Sequence, residues 1–327
     1  TDAAAASMSH VAWDGFAHHD TIFPLFLFIA GVSFPYSVAK QRAGGMSEGR
    51  IYAKIVRRGL TLVVLGMVYN GLFKLDFENL RIASVLGRIG LAWSIAAVLY
   101  LNFGVKTRAA IAVAVLAGYG ALSALVAAPD AAGAGPLTFE GNLAGYIDRQ
   151  FLPGKLIYGS FDPEGLLSTV PAVVTAMLGM FTGEFVRRSD IRGGRKTLWM
   201  AAAAAALLAA GLAFSGVLPV NKKLWSSTFV CVVGAYSLGM FALFYYLIDV
   251  RGWRRWTLFF RVVGLNSITI YLAQRIVGFG RISDFFLGGI ASKCPEAVAA
   301  VISSAGYVAV CWLFLYFLYR KNVFLKV

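Results

Sequence analysis

Long apolar runs recur along the whole chain and determine its predicted architecture. Each run approaches the roughly 20 residues that an α-helix needs to cross a bilayer. Only helices satisfy their own backbone hydrogen bonds within one segment in lipid. The pattern therefore predicts an all-α, polytopic helical membrane protein, folded as a single domain over residues 1–327. About nine spans are predicted, at 21–39, 55–73, 82–103, 107–128, 165–186, 197–218, 226–248, 256–278 and 297–319.

The composition supports the membrane class. Hydrophobic residues make up 59% of the chain and charged residues 14%, against roughly 25% charged residues in soluble domains. The three cysteines, at 231, 294 and 311, show no CxxC spacing. We therefore predict neither a disulfide framework nor a metal site from them.

The basic residues predict an orientation and remove nucleic acid as an explanation for the net charge of +14. Most Lys and Arg fall in one alternating set of loops, 40–58, 106–108, 187–196, 251–255 and the tail from 320, while acidic residues favour the other set. By the positive-inside rule, the basic loops and the C-terminus are cytoplasmic. The other side, which includes residues 1–20, is then periplasmic, and a bacterial inner membrane is the expected location.

The longest segment between predicted spans, 129–164, is expected outside the cytoplasm. It begins with a flexible Ala/Gly/Pro-rich stretch and continues into a more aromatic and charged part, for which we predict an amphipathic helix at about 143–151. Asp162, Pro163 and Glu164 resemble a helix start, with Asp as N-cap and Pro in the first position. Capping alone would explain both acids, and a functional role is the alternative.

Titratable side chains cluster just before the first span, which makes this rim the leading place for chemistry. His10 is the natural proton acceptor near neutral pH, and Asp14 or Asp20 could orient its imidazole. Trp13 lies between them in sequence. A solvated rim histidine is the alternative reading. His18 and His19 are adjacent and lack further ligands at suitable spacing, so no metal is predicted.

Three further groups of polar residues need an explanation. Arg88 falls inside the third span, where a guanidinium needs an acid partner such as Glu164, or a polar cavity. Asn266 and Ser267 lie in a polar stretch near the end of the chain, as glue between helices or as a substrate-binding face. Lys54, Arg57 and Arg58 belong to a basic loop that the positive-inside rule explains, and that a phosphate-rich ligand such as coenzyme A could also use.

Several segments together resemble the heparan-α-glucosaminide N-acetyltransferase family, of the transmembrane acyltransferase superfamily. They appear in the family's order and cover residues 10 to about 275. The segments are HVAWDGFAHHDTIFPLFLFIAGVS, RIASVLGRIGL, GYIDR, FDPEGLLSTVPAVVTAMLGMFTG, NKKLWSSTFV and GLNSITIY.

The resemblance implies that an acetyl group passes from cytoplasmic acetyl-CoA to the amine of an amino sugar or glycan on the outer side. The family's active histidine matches His10, and its FDPEG glutamate matches Glu164. The second arginine of RIASVLGRIGL, Arg88, also matches an arginine of the family. His10 would act as an acetyl carrier or as a general base on the acceptor amine. The relatives suggest a homodimer, and the lipid bilayer is a further partner.

This chain departs from the family in places. The resemblance implies an additional helix with an SLDALRG-like segment before residue 1, which would make ten or more spans. Asp14 stands where the family has Asn, and Gln274 where human-type members have His. An amino-sugar transporter of the inner membrane is the alternative function. Paired half-repeats with broken helices would favour it, and the sequence shows no such internal symmetry.

Overall fold

The computed structural model describes residues 11–325 and consists of helices joined by short loops. No β-strand occurs in this range, where two isolated bridges are the only β-type pairings. The all-α prediction is therefore confirmed. The helices are α1 (Ile22–Ala43), α2 (Glu48–Tyr69), α3 (Val85–Asn102), α4 (Val105–Leu125), α5 (Leu143–Phe151), α6 (Leu166–Arg187), α7 (Gly193–Ala213), α8 (Ser227–Tyr245), α9 (Leu258–Leu265), α10 (Ser267–Ile276), α11 (Phe279–Ala291) and α12 (Glu296–Arg320).

By length and apolar composition, fewer helices qualify as candidate membrane spans than the nine predicted. Within the described residues, seven helices are long and apolar enough to cross a membrane, or eight if one bent pair counts as a single span. Helix α2 does not qualify because Arg50, Lys54, Arg57 and Arg58 lie along its first half. The predicted span 256–278 is broken into α9 and α10, which are bent by 59°.

The chain divides into two compact units, one up to Arg251 and the other from Gly252. In the first unit, α6 packs against α1, α3 and α4 and is the most buried of the candidate spans. Helix α7 packs along α8, and α2 along α3. The second unit contains α9 to α12, with α11 packed on α12 and Trp312 stacked on Phe259 at 5.8 Å between ring centroids. The sequence did not predict α11. Whether residues 1–327 form one domain stays a prediction.

Glycines allow α1 and α6 to approach at backbone distance. A Cβ added to Gly31 would lie 2.2 Å from the carbonyl oxygen of Ala176, and one added to Gly179 would lie 2.0 Å from that of Phe28. Gly183 is equally close to Val32, at 2.2 Å. Gly179 and Gly183 form a GxxxG pair, a common device where membrane helices pack closely. Only glycine fits at these three positions without moving a helix.

The segment between α4 and α6 packs against the start of α6 and against the residues that precede α1 and α3. Helix α5 spans Leu143–Phe151, as predicted, because Asn142 caps it by accepting the N–H of Gly145 at 2.6 Å. The capping prediction for Asp162 is wrong, since α6 begins at Leu166. Its first N–H is instead accepted by the buried Asp148 Oδ1, at 2.8 Å. Helix α5 therefore supplies the cap for α6, which leaves Asp162 and Glu164 available for other contacts.

Candidate functional site

The rim before α1 is anchored by aromatic packing. Trp13 donates its indole N–H to the carbonyl of Leu137 at 2.9 Å and packs edge-on against Phe139 and Phe161. The predicted catalytic residue His10 lies outside the described residues, so its role stays a prediction. Residues 11–21, which follow His10 in sequence, are described and show where the rim packs.

The two rim aspartates occupy different environments. Asp14 is on the surface and accepts an N–H from Asn221 at 3.0 Å. Asp20 is buried with 2% exposure, accepts the backbone N–H of Ala17 at 3.2 Å and pairs with Lys222 at 3.2 Å. Because Asp20 is enclosed and already paired, it is better placed to hold the rim turn and Lys222 than Asp14 is. Both contacts tie the rim to the segment 219–226 before α8.

The guanidinium of Arg81 joins two acids at the end of the segment between α4 and α6. Arg81 forms a bidentate pair with Asp162, with both N–O distances 2.7 Å, and also donates to Glu164. Burial alone would lower the pKa of Arg81, but the hydrogen bonds and charges of the two carboxylates outweigh it and raise the pKa. Asp162 has no exposed surface and also accepts the backbone N–H groups of Ile157 and Glu164. This cluster fixes the position of Glu164.

Arg88 is completely enclosed, on the first turns of α3. Its Nη2 donates to the hydroxyl of Ser168 and, at 3.4 Å, to the carbonyl of Gly165. The guanidinium lies over Trp225, 5.0 Å from the ring centroid. The alternative in which Arg88 forms an ion pair with Glu164 or another acid is wrong for residues 11–325. Nε and Nη1 have no hydrogen-bond partner there.

Two cavities meet around Glu164. The larger, which we call the inner cavity, has a volume of about 450 Å³ and lies between α3, α4 and α6. It extends from Ser84 to Leu99 along α3, and its walls are almost entirely apolar. Arg88 and Glu164 are its charged lining residues. The smaller, which we call the outer cavity, has a volume of about 240 Å³ and lies among loops. Its lining includes Trp13, Asp20, Tyr158, Glu164, Lys222, Lys223 and Trp225. Glu164 lines both cavities.

Trp225 stands between the two cavities in a strained conformation. It lines the outer cavity, and its ring contacts Arg88 of the inner one. Its φ of 52° is in the left-handed region, which is uncommon for a bulky residue and is often found at functional sites. Packing against Phe23 and a hydrogen bond to Thr175 at 3.2 Å hold the ring in place. The conformation is therefore imposed by the surroundings.

The remaining predicted binding residues do not all join this site. Lys54 and Arg57 are exposed on α2, whereas Arg58 turns inward over Trp93, 4.3 Å from the ring centroid. Asn266 and Ser267 belong to the second compact unit, and a role for them in the same site stays a prediction. Asn266 is buried at the break between α9 and α10, and its amide nitrogen has no partner in residues 11–325.

Four important residues were not among those predicted for the site. Arg81 was visible in RIASVLGRI, and Lys222, Lys223 and Trp225 in NKKLW. These residues join the site only because loops more than 60 residues apart in sequence come into contact in the folded protein. No local sequence pattern predicts such contacts. For metals, the described range contains no group of three or more His, Cys, Asp or Glu that could bind one.

Comparison with known proteins identifies the family. Residues 2–217 match the model described as "Heparan-alpha-glucosaminide N-acetyltransferase, catalytic". The human protein named heparan-alpha-glucosaminide N-acetyltransferase is 27% identical over 375 residues, covering 97% of this chain and 55% of the relative. The mouse protein of that name is 26% identical over 372 residues, covering 97% of this chain and 56% of the relative. The chain thus spans about half the length of these relatives. It belongs to the family of the heparan-α-glucosaminide N-acetyltransferase catalytic region, as the resemblance implied.

Proposed function

We propose that this chain is a transmembrane acetyltransferase, which moves an acetyl group from cytoplasmic acetyl-CoA to the amine of an amino sugar or glycan on the outer side. The observation that carries the proposal is the pair of cavities with Glu164 in both walls. One cavity suits a narrow thioester arm and the other a polar acceptor. The names of the human and mouse relatives agree with this chemistry.

The inner cavity supports the donor side of the proposal. Its lining residues on α3 run from Ser84 to Leu99, which corresponds to about 22 Å of helix. A donor entering at the Leu99 end would bring its thioester to Arg88. The two unpartnered guanidinium nitrogens, Nε and Nη1, would donate to the thioester oxygen and stabilise the negative charge that develops during attack, an effect that is strong in a site without bulk water.

The outer cavity supports the acceptor side. Trp13 and Tyr158 offer ring faces to a sugar, and Glu164 can hold an ammonium group next to the donor cavity. The amine must lose its proton before it attacks the thioester. In the proposal His10 takes this proton as general base, or first carries the acetyl group itself. Asp20 and Asp14 would support the rim that presents His10, and Arg88 and Glu164 would position the two substrates.

Topology, coenzyme binding and assembly complete the proposal. The basic loops are cytoplasmic, so the exposed Lys54 and Arg57 would face the phosphates of coenzyme A, with Arg58 contributing less because it stacks on Trp93. The outer cavity and His10 are then periplasmic in a bacterial inner membrane, and the C-terminus is cytoplasmic. The proposal includes a homodimer embedded in the bilayer, and a substrate-binding role for Asn266 and Ser267 stays a prediction.

One observation favours the alternative, a transporter of amino sugars. Helices α9 and α10 are a pair bent by 59° around Asn266, as in a broken span or a re-entrant loop, and discontinuous helices are frequent at transporter binding sites. A single broken span within the described residues does not make the paired arrangement that such transporters use. The acetyltransferase therefore remains the proposal, and transport is an outcome of its test.

The test is acetyl transfer by the purified full-length protein, using radiolabelled acetyl-CoA and glucosamine. The variants are His10→Ala, Glu164→Gln and, as matched control, Glu140→Gln, which removes an exposed acid of the same outer segment. We expect transfer by the wild type and the control, and a loss of about 100-fold or more in the first two. Transfer that persists in both would remove these residues from the site. No transfer, combined with glucosamine uptake by proteoliposomes, would refute the enzyme in favour of the transporter.

A further inference from the structure

We infer that the acceptor carries an anionic group in addition to its amine, and that Lys223 binds this group. The inference rests on the proposed function and narrows its substrate class to a zwitterionic amino sugar, with a phosphate or carboxylate on the sugar. It follows from the distribution of charge around the outer cavity.

The positive end of the cavity is Lys223. Its Nζ lies 4.7 Å from the ring centroid of Tyr158 and 5.9 Å from that of Trp13, and it donates to the carbonyl of Ala12. It forms no ion pair with any carboxylate of residues 11–325. The side chain is held by two rings and one carbonyl, so a fixed and uncompensated ammonium charge lines the cavity.

The negative end is the cluster around Glu164. Asp162 and Glu164 share one guanidinium, that of Arg81, so this cluster carries a formal charge of about −1. Between the two ends, Lys222 and Asp20 form an ion pair at 3.2 Å. The cavity wall is therefore dipolar, with a net positive charge at Lys223 and a net negative charge at Glu164.

A ligand matches this wall when it carries one ammonium and one anionic group. The ammonium would lie at Glu164, next to the inner cavity, and the anion would lie at Lys223. The volume of about 240 Å³ is below the roughly 300–1,000 Å³ of pockets for drug-sized ligands, which favours a single sugar unit in the cavity. Glucosamine, which has no anionic group, would leave the ammonium of Lys223 unpaired.

The test compares acceptors with and without the second charge. The full-length protein is assayed with glucosamine, glucosamine 6-phosphate and muramic acid, which carry no anion, a phosphate and a carboxylate. We expect kcat/KM to be about tenfold higher for at least one anionic acceptor, the effect of a hydrogen bond to a charged group. Which of the two is preferred distinguishes a phosphate from a carboxylate.

Variants locate the preference. The ratio compared is kcat/KM for the preferred anionic acceptor divided by kcat/KM for glucosamine. In Lys223→Met this ratio should fall about tenfold, mainly through KM, and in Lys223→Arg it should be retained. Lys155→Met, which removes an exposed lysine of the outer segment that does not line the cavity, should leave the ratio unchanged. A wild-type ratio near one, or a ratio that survives in Lys223→Met, would overturn the inference.

The failure of the proposed function is distinguishable from the failure of this inference. If the wild type transfers acetyl to no acceptor, calorimetric binding of the same three sugars replaces the kinetic ratio. Tighter binding of an anionic sugar, lost in Lys223→Met, would support the anionic subsite without the transferase. Equal binding of all three would overturn the subsite as well.

Discussion

Asp148 should make the stability of the protein depend on pH between about pH 4 and pH 6. Its carboxyl has no exposed surface, Oδ1 accepts the first N–H of α6, and Oδ2 has no partner in the described residues. Burial raises the pKa of Asp148 from 3.8 to about 6, and the hydrogen bond from Leu166 opposes this only in part. Such a shift corresponds to about 3 kcal/mol of unfolding free energy.

The sign follows from the direction of the shift. Because the folded-state pKa is above the unfolded one, the stabilising contribution is complete below about pH 4 and is lost as pH rises through about 6. The variant Asp148→Asn keeps an acceptor oxygen for Leu166 and removes the ionisation. We expect it to unfold at a higher temperature than the wild type at pH 8, and this advantage to fall to about half at pH 5.

Thermal unfolding of the detergent-solubilised protein, followed by tryptophan fluorescence from pH 5 to 8, measures this difference. Asp130→Asn is the matched control, since Asp130 is a solvent-exposed acid that pairs with Arg149. Its hydrogen bond to Arg149 lowers the pKa of Asp130, so this carboxylate should already be fully ionised over the range. Parallel pH profiles for the wild type and Asp148→Asn would refute the reasoning.

Two further substitutions test the packing around the site. Arg81→Ala should cost about 3–5 kcal/mol of unfolding free energy, because it leaves the fully buried Asp162 without its cation; chemical denaturation measures the loss, and a cost below about 1 kcal/mol would contradict the buried cluster. Gly179→Ala should lower the thermal midpoint, because its Cβ would lie 2.0 Å from a carbonyl oxygen of α1, whereas Gly118→Ala, with open space around it, should raise the midpoint slightly.

The sequence predicted those features that arise from local pattern. Most spans follow from apolar length, and α5 from its amphipathic pattern. Helix α2, predicted as a span at 55–73, is not apolar enough over its length to count as a candidate span, because basic residues lie along its first half. The cap at Asp162 was wrong because the N–H groups of α6 find a carboxylate from another helix. Neither the Arg81 cluster nor the role of Lys223 could be predicted, since both depend on loops that meet only in the folded protein.

The glycine contacts between α1 and α6 constrain how the protein can move. Gly31 and Gly179 bring the two backbones into direct contact, and a helix pair packed this way moves as one rigid body. Asp20 precedes the first helix and Glu164 precedes the second, so the distance between these two acids is fixed by the pair. Communication between the inner and outer cavities must then come from rotation of side chains, of which the strained Trp225 is the best placed. We therefore expect the passage between the cavities to open by rotation of side chains such as that of Trp225, while α1 and α6 stay packed together.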